Sequence, residues 1–279
     1  MSFDPPLSID ELESAFRGKF TIQSAIASGG QGTVFKAETK IHSPINLVAL
    51  KIYFEDQVEE RTTREVNALR SITCPTLVKL HDTGNCIIRN SPCIYVSTEF
   101  IDGQPLSDLL QQAPLSPSVV AQVGHDIALA IEHLWESRIV HRDIKPNNIM
   151  MSTQGRAVLI DLGLARHLKL ESLTSMGKTW GTIGYLSPEQ TEAQRALTCK
   201  SDIFSLGLVL QEGLLGRHPT SRKQNLLLQG GIKTDRIIKN IPPSFSALID
   251  SMLEKNPIKR PLPSIVQQKI SEHLKKITT

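Results

Sequence analysis

The run His141-Arg142-Asp143-Ile144-Lys145-Pro146-Asn147-Asn148 sets a carboxylate, an ammonium and an amide within one short stretch of chain. Chemistry at a nucleotide phosphate uses these three groups together. The carboxylate orients a hydroxyl, the ammonium offsets the charge of a moving phosphoryl group, and the amide oxygen holds a divalent metal. Eight residues in this order are far more specific than a lone glycine motif.

Three further features could join that chemistry. Ala27-Ser28-Gly29-Gly30-Gln31-Gly32-Thr33-Val34 is a glycine-rich turn between two expected strands. Backbone amides approach phosphate oxygens closely only where side chains are missing; read alone, the same run is a flexible hairpin loop. Lys51 ends the apolar strand Val48-Ala49-Leu50-Lys51. A buried ammonium needs a partner, and Glu65 on the next helix suits it better than Glu59 or Glu60; the bland alternative is a lysine snorkelling at a strand edge. Asp161-Leu162-Gly163 follows the strand Ala157-Val158-Leu159-Ile160. A carboxylate there can bind Mg²⁺ beside phosphates, although such a tripeptide by itself is more often a turn.

These groups must be positioned by a soluble fold of ordinary composition. The chain has 279 residues, 40% hydrophobic and 21% charged, with 31 basic and 28 acidic residues for a net charge of +3. That near-balance offers no ground for nucleic-acid or membrane binding. The four cysteines (Cys74, Cys86, Cys93, Cys199) lack metal-site spacing and read as free thiols in a reducing compartment. No apolar run reaches the roughly 18–20 residues of a membrane span, and Met1 to Pro6 has no signal-peptide character, so a cytoplasmic protein is expected. No internal repeat or low-complexity linker stands out.

Periodicity predicts a short helix over 7–16, with Ser8 and Glu11 as a capping box. Strands are expected at Phe20 to Ala27, Thr33 to Ala37, Leu47 to Ile52 and Ile94 to Phe100, with a partly exposed helix over 57–71. After Gly103 the pattern turns helical: an amphipathic helix from Val119 to Ser137, an almost wholly apolar one from Asp202 to Leu215, and closing helices at Pro243 to Leu253 and Pro263 to Lys275. A small β-rich lobe followed by a larger helical lobe creates an expected cleft at the junction.

Taken together, His141 to Asn148, Lys51 in Val-Ala-Leu-Lys, Asp161-Leu162-Gly163 and Gly181-Thr182-Ile183-Gly184-Tyr185-Leu186-Ser187-Pro188-Glu189 resemble the eukaryotic-type protein kinases. The resemblance covers about residues 18–275, with the motifs in family order. It implies an α+β bilobal kinase fold: an extension over 1–17 and a kinase domain over 18–279, with an N-lobe to about 100 and a C-lobe from about 101. It implies that residues 27–34 cover the phosphates of ATP, that Lys51 meets the α- and β-phosphates and is held by Glu65, and that Asp143 takes or orients the substrate hydroxyl proton. Lys145 would stand by the transferring group, and Asn148 and Asp161 would hold Mg²⁺, or Mn²⁺ in its place. Val34, Ala49 and Met150 would sandwich the adenine, Thr98 would be the gatekeeper, and Glu99, Phe100 and Ile101 would form the hinge. Asp202 would brace the catalytic loop, and Glu189 would pair with Arg260. Lys145, two residues after Asp143, and Thr182 resemble the Ser/Thr branch, so the implied partner is a protein carrying Ser or Thr. A regulatory partner or a transient homodimer is left open.

The chain departs from the family pattern at Ala27 for the first loop glycine, Leu162 for the aromatic after the metal aspartate, and Ser187 for alanine before Pro188-Glu189. None removes a reacting group. Pro105 and Asn147 stand where arginine-directed members carry acids, so no demand for arginine upstream of the target is expected. Arg142 is of the kind neutralised by a phosphate on the activation segment, about 161–189, where Ser172, Thr174, Ser175 and Thr179 are acceptors. Two alternatives are a pseudokinase, which would lack one of Lys51, Asp143, Asn148 or Asp161, and a small-molecule phosphotransferase, which would resemble His-Gly-Asp and lack the Gly181 to Glu189 segment.

Overall fold

The structure is a computed structural model that describes residues 6–29, 32–39, 46–54, 69–161, 184–192, 197–239 and 241–278. It forms two compact units, one of residues 1–71 and 78–101 and the other of residues 72–77 and 102–279. Among the described residues no helix is long and apolar enough to cross a membrane.

The first unit opens with α1 (Ile9–Phe16). Ser8 caps it and Glu11 closes the capping box, as its sequence predicts. Five antiparallel strands follow: β1 (Phe20–Gly29), β2 (Gly32–Thr39), β3 (Asn46–Phe54), β4 (Leu80–Ile88) and β5 (Ser91–Glu99), in the spatial order β1-β2-β3-β5-β4. Strand β4 carries no clear alternation in the sequence because most of its middle residues are only half-buried and a bulge breaks its register between Leu80 and Asp82. Arg89 and Asn90 join β4 to β5 with φ of 51° and 60°, the left-handed pair that a two-residue hairpin needs. The expected helix over 57–71 lies outside the described residues except for its last turn at 69–71.

One face of this sheet makes an apolar core from Phe35, Leu50, Ile52, Cys93 and Tyr95, and α1 closes it with Leu12 and Phe16. Phe16, Phe20 and Tyr95 meet edge to face at centroid distances of 5.1, 5.2 and 5.7 Å, the arrangement their ring quadrupoles favour. Lys19 closes the rim, with Nζ 2.6 Å from Asp82 Oδ2 and 4.6 Å from the centroid of the Tyr95 ring. Arg70 reaches the other oxygen of Asp82 at 2.9 Å.

The second unit is helical around a small sheet of β6 (Gly103–Pro105), β7 (Ile149–Ser152) and β8 (Ala157–Leu159). Residues 72–77 belong here because Leu159 N–H donates to Thr76 O at 2.9 Å and Leu77 bridges Leu159. The helices are α2 (Leu106–Gln112), α3 (Pro117–Glu136), α4 (Pro188–Thr191), α5 (Cys199–Leu215), α6 (Gln224–Leu227), α7 (Thr234–Ile237), α8 (Pro243–Met252) and α9 (Pro263–Thr278). Helix α5 is buried on nearly every side from Cys199 to Gly213, as its apolar run predicts. Helix α3 packs on α5 and α9. A Cβ on Gly124 would come within 2.7 Å of Ile270 Cδ1, so the missing side chain lets α3 and α9 approach.

Glu189 and Arg260 form the expected ion pair, and both are buried. Arg260 donates to both Glu189 oxygens at 2.7 and 2.9 Å, and its other N–H groups reach the carbonyls of Glu254, Lys200 and Lys255. Ser201 Oγ donates to the same carboxylate at 2.7 Å. Burial pushes the Glu189 carboxyl up, but the guanidinium and the Ser201 hydroxyl outweigh it and hold the group below the usual carboxylate range. Its contribution to stability is therefore complete above the unfolded carboxyl pKa and is lost as pH falls through the lowered value. Removing one partner strands a buried charge, so Arg260→Ala is expected to cost about 3–5 kcal/mol of unfolding free energy. Urea denaturation of the variant beside wild type measures it.

Candidate active site

The loop His141 to Asn148 leaves α3, passes through Ile139 and Val140 in the core, and enters a single 3₁₀ turn at Pro146–Asn148 before β7. Its shape is set from α5. Asp202 is buried there, and its carboxylate accepts from the backbone N–H of His141 (Oδ2, 2.8 Å) and of Arg142 (Oδ1, 2.8 Å). Burial pushes this carboxyl up, against the opposing pull of His141 and the two N–H donors. Arg142 takes φ 69°, a left-handed conformation that costs a non-glycine residue about 1–2 kcal/mol. The paired N–H groups on Asp202 offset that strain.

Within the loop each side chain fixes the next. His141 donates from Nε2 to the carbonyl of Asp161, so its Nδ1 is the acceptor for Asp143 N–H at 3.3 Å. That places a ring proton on Nε2. Asp143 Oδ2 accepts from Lys145 Nζ at 2.8 Å and from Asn148 Nδ2 at 3.0 Å. Asn148 Nδ2 also donates to Asp143 O at 2.8 Å, and Ile160 N–H donates to Asn148 O at 3.0 Å. The sequence-predicted Asp143, Lys145 and Asn148 are therefore in direct contact, and Asp161 is tied to them through His141. Met150, half-buried on β7, pairs through its backbone with Pro105 and Val158.

The residues expected from the first unit fall into one pattern. Val34 pairs with Lys51, Lys36 with Ala49, Ala49 with Thr98 and Lys51 with Val96. Directly paired residues share a face, so Val34, Ala49, Lys51 and Thr98 line the face opposite the apolar core. Lys51 Nζ stands 4.9 Å from the centroid of the Tyr53 ring. Ala27 and Ser28 pair with Val34 and Thr33, and Gly29 with Gly32. Gly32 takes φ 129°, and a Cβ there would lie 2.2 Å from Ile52 O, so no side chain fits. Glu99 bonds Lys79 twice, its N–H donating to Lys79 O at 2.9 Å and its side-chain carboxylate accepting from Lys79 N–H at 3.0 Å. Phe100 N–H donates to Leu47 O at 3.2 Å, and Ile101 is half-buried beyond it. Gly30, Gln31 and Glu65 lie outside the described residues, as do Ser172, Thr174, Ser175, Thr179 and Thr182.

The segment 184–190 holds contacts that its sequence does not announce. Gln190 Oε1 accepts from Ser187 N–H at 3.1 Å and Ser187 Oγ at 3.0 Å, which frees its Nε2 to donate to Arg142 O at 3.1 Å. Ser187, read as a small departure from alanine, thus orients the residue that ties this segment to the 141–148 loop; its spacing of three from Gln190 is a capping-box signal. Tyr185 OH donates to the buried Glu212 carboxylate. Burial, together with that carboxylate, pushes the Tyr185 phenol far up, and burial pushes Glu212 up as well.

His218 pins the loop after α5 to this segment. Its Nε2 donates to Gly184 O at 2.9 Å, and its Nδ1 accepts from the N–H groups of Thr220 (3.3 Å) and Arg222 (3.1 Å). Burial, helped by the Arg222 charge and opposed by the Gly184 carbonyl, brings the ring down to about 4. The neutral ring contributes stability that is complete above the unfolded value near 6.5 and is lost as pH falls toward 4. After allowance for partial exposure this is worth about 2 kcal/mol. Urea titrations at pH 7 and pH 4.5 are expected to show a smaller acid loss in His218→Asn than in wild type.

Residues 20–273 match the family model described as a protein kinase domain. Over 262 residues the chain is 30% identical to the serine/threonine-protein kinase PknL of Mycobacterium tuberculosis, covering 90% of this chain and 64% of that protein. It is 34% identical over 208 residues to the serine/threonine-protein kinase PrkC of Bacillus subtilis, covering 72% of this chain and 31% of that protein. It is 31% identical over 251 residues to PknE of Mycobacterium tuberculosis, covering 86% of this chain and 43% of that protein. The chain thus spans less than two thirds of the length of these relatives.

Proposed function

This chain belongs to the protein kinase domain family, and on that premise we propose that it transfers the γ-phosphate of ATP to Ser and Thr hydroxyls of proteins. The observation that carries this reading is the locked group Asp143, Lys145 and Asn148. The relatives' names support the Ser/Thr branch.

In this reading Asp143 orients the attacking hydroxyl and takes its proton as the new phosphoester bond forms and ADP leaves. Two donors on Oδ2 hold the carboxylate in place for that step. Lys145 keeps its ammonium against Asp143, where negative charge develops on the transferring oxygens. The donor chemistry suits a hard cation: Asn148 spends its Nδ2 on Asp143, and its Oδ1 has no partner among the described residues. Asn148 and Asp161 would hold Mg²⁺ or Mn²⁺, which when bound offsets the charge of the phosphates. Lys51, held by Glu65, takes the α- and β-phosphates. The turn from Ala27 to Gly32 covers them with backbone amides, and the close approach at Gly32 supports that role. Val34 and Ala49, with Met150, pack on the adenine. Thr98 limits the depth of that site, and the backbone of Glu99 to Ile101 meets the adenine edge.

The test is transfer of labelled phosphate from Mg-ATP to a generic protein substrate, with Asp143→Asn and Lys51→Met alongside. Loss of the base is expected to lower the rate on the order of 10²–10⁴-fold. Equal transfer by all three proteins would remove these roles. Autophosphorylation at Thr174, Ser175 or Thr179 belongs to the same proposal. Mass spectrometry after incubation with Mg-ATP is expected to find phosphate between 161 and 189, and an unmodified segment in an active preparation would count against it.

A further inference from the structure

The loop His218 to Lys223 has a shape that its own sequence does not favour. Ser221 and Arg222 are both left-handed, with φ of 50° and 61°. Two consecutive non-glycine residues in that region persist only where the surroundings hold them. His218 does the holding, through the Arg222 N–H on one ring nitrogen and the Gly184 carbonyl on the other.

The result is a specific placement of Arg222. Its stem lies against Gly184, where a Cβ would come within 2.8 Å of Arg222 Cγ. Any side chain at Gly184 would push the arginine away. Its guanidinium faces the Tyr185 phenol and lies near the Glu212 carboxylate and the His218 ring. Tyr185 already occupies Glu212, which is buried. Arg222 itself is exposed, as are Arg217 and Lys223 beside it. At the rim next to Gly184 and Tyr185 the exposed Arg222, with the exposed Arg217 and Lys223 close to it in the chain, thus shows solvent positive charge, while the Glu212 carboxylate is turned inward.

This rim is connected to the reacting group. Gly184 stands three residues before Ser187, which orients Gln190, and Gln190 donates to the carbonyl of Arg142 next to Asp143. Three residues span at most about 11 Å. A peptide whose hydroxyl reaches Asp143 and whose chain runs along this segment would carry side chains over the rim.

Resting on the proposed transfer to protein hydroxyls, we propose that Arg222, supported by Arg217 and Lys223, makes target selection acid-directed. The favoured substrate carries Asp or Glu within about five residues of the phosphorylated Ser or Thr. The five N–H donors of a guanidinium suit a carboxylate better than an ammonium does, so Arg222 is the specificity-determining residue and its neighbours add field. This complements the absence of acids at Pro105 and Asn147: nothing there asks for arginine, and the rim asks for the opposite charge.

A positional peptide array with Mg-ATP, followed by kcat/KM for peptides with Glu, Gln or Lys at the selected position, tests it. Wild type is expected to favour Glu over Gln about 3–10-fold, chiefly through KM, with the ratio shrinking as salt rises. The ratio should fall toward one in Arg222→Gln and invert toward Lys in Arg222→Glu. Lys223→Glu, at an exposed position outside the left-handed pair, should lower it partway and guards against a folding defect in the arginine variants. Phosphorylation with no acidic preference at any position overturns the inference and leaves the transfer reading standing. An acidic preference unchanged in both Arg222→Gln and Lys223→Glu also overturns it, since the selection then comes from elsewhere. Failure to phosphorylate any peptide or protein removes both together.

Discussion

One buried carboxylate and two backbone N–H groups set the geometry on which the rest of the second unit depends. Asp202 sits on a helix buried on nearly every side and receives His141 and Arg142 from a loop about 60 positions earlier in the chain. A carboxylate in that setting needs donors, and a left-handed arginine needs restraint. Each requirement meets the other. From this joint the order spreads outward: His141 to Asp161, Asp143 to Lys145 and Asn148, and the Arg142 carbonyl to Gln190. A local conformational cost at Arg142 is thereby offset by a helix core that solvent does not reach.

The first unit solves a different problem. Its sheet must present polar and functional groups on one face while it stays folded through the other. Strict pairing across β2, β3 and β5 separates the two sets, with Lys51, Ala49, Thr98 and Val34 on one side and Phe35, Leu50, Ile52 and Tyr95 on the other. A slip of one residue would exchange the sets, so the same registry that builds the core also aims Val34, Ala49, Lys51 and Thr98.

How far the sequence could be read follows from how local each feature is. Helix α1, the amphipathic α3 and the apolar α5 were legible because capping and periodicity act over a few residues. The loop at 141–148 was legible because its chemistry is packed into one run. Strand β4 was not, since its mostly half-buried middle and its bulge erase the alternation. The Glu189–Arg260 pair joins residues 71 apart and came from family likeness rather than from any pattern. The association of residues 72–77 with the helical unit, and the placing of Arg222 by His218, arise from long-range contacts that leave no periodic trace.

The cap of α1 has a second use. Glu11 holds Ser8 in the capping box and also receives Arg89 from the tip of the β4–β5 hairpin at 2.6 Å, which keeps its carboxyl down at about 2. Arg89 in turn grips the Pro6 carbonyl at 3.1 Å. The match to the family model begins at Phe20, so a fragment trimmed to that border would retain all the residues assigned to chemistry. It would nonetheless uncover Phe20 and Tyr95 and leave Arg89 grasping at water. For this protein the edge drawn by kinship and the edge drawn by solvent differ: the apolar core of the sheet takes in Leu7, Leu12 and Phe16.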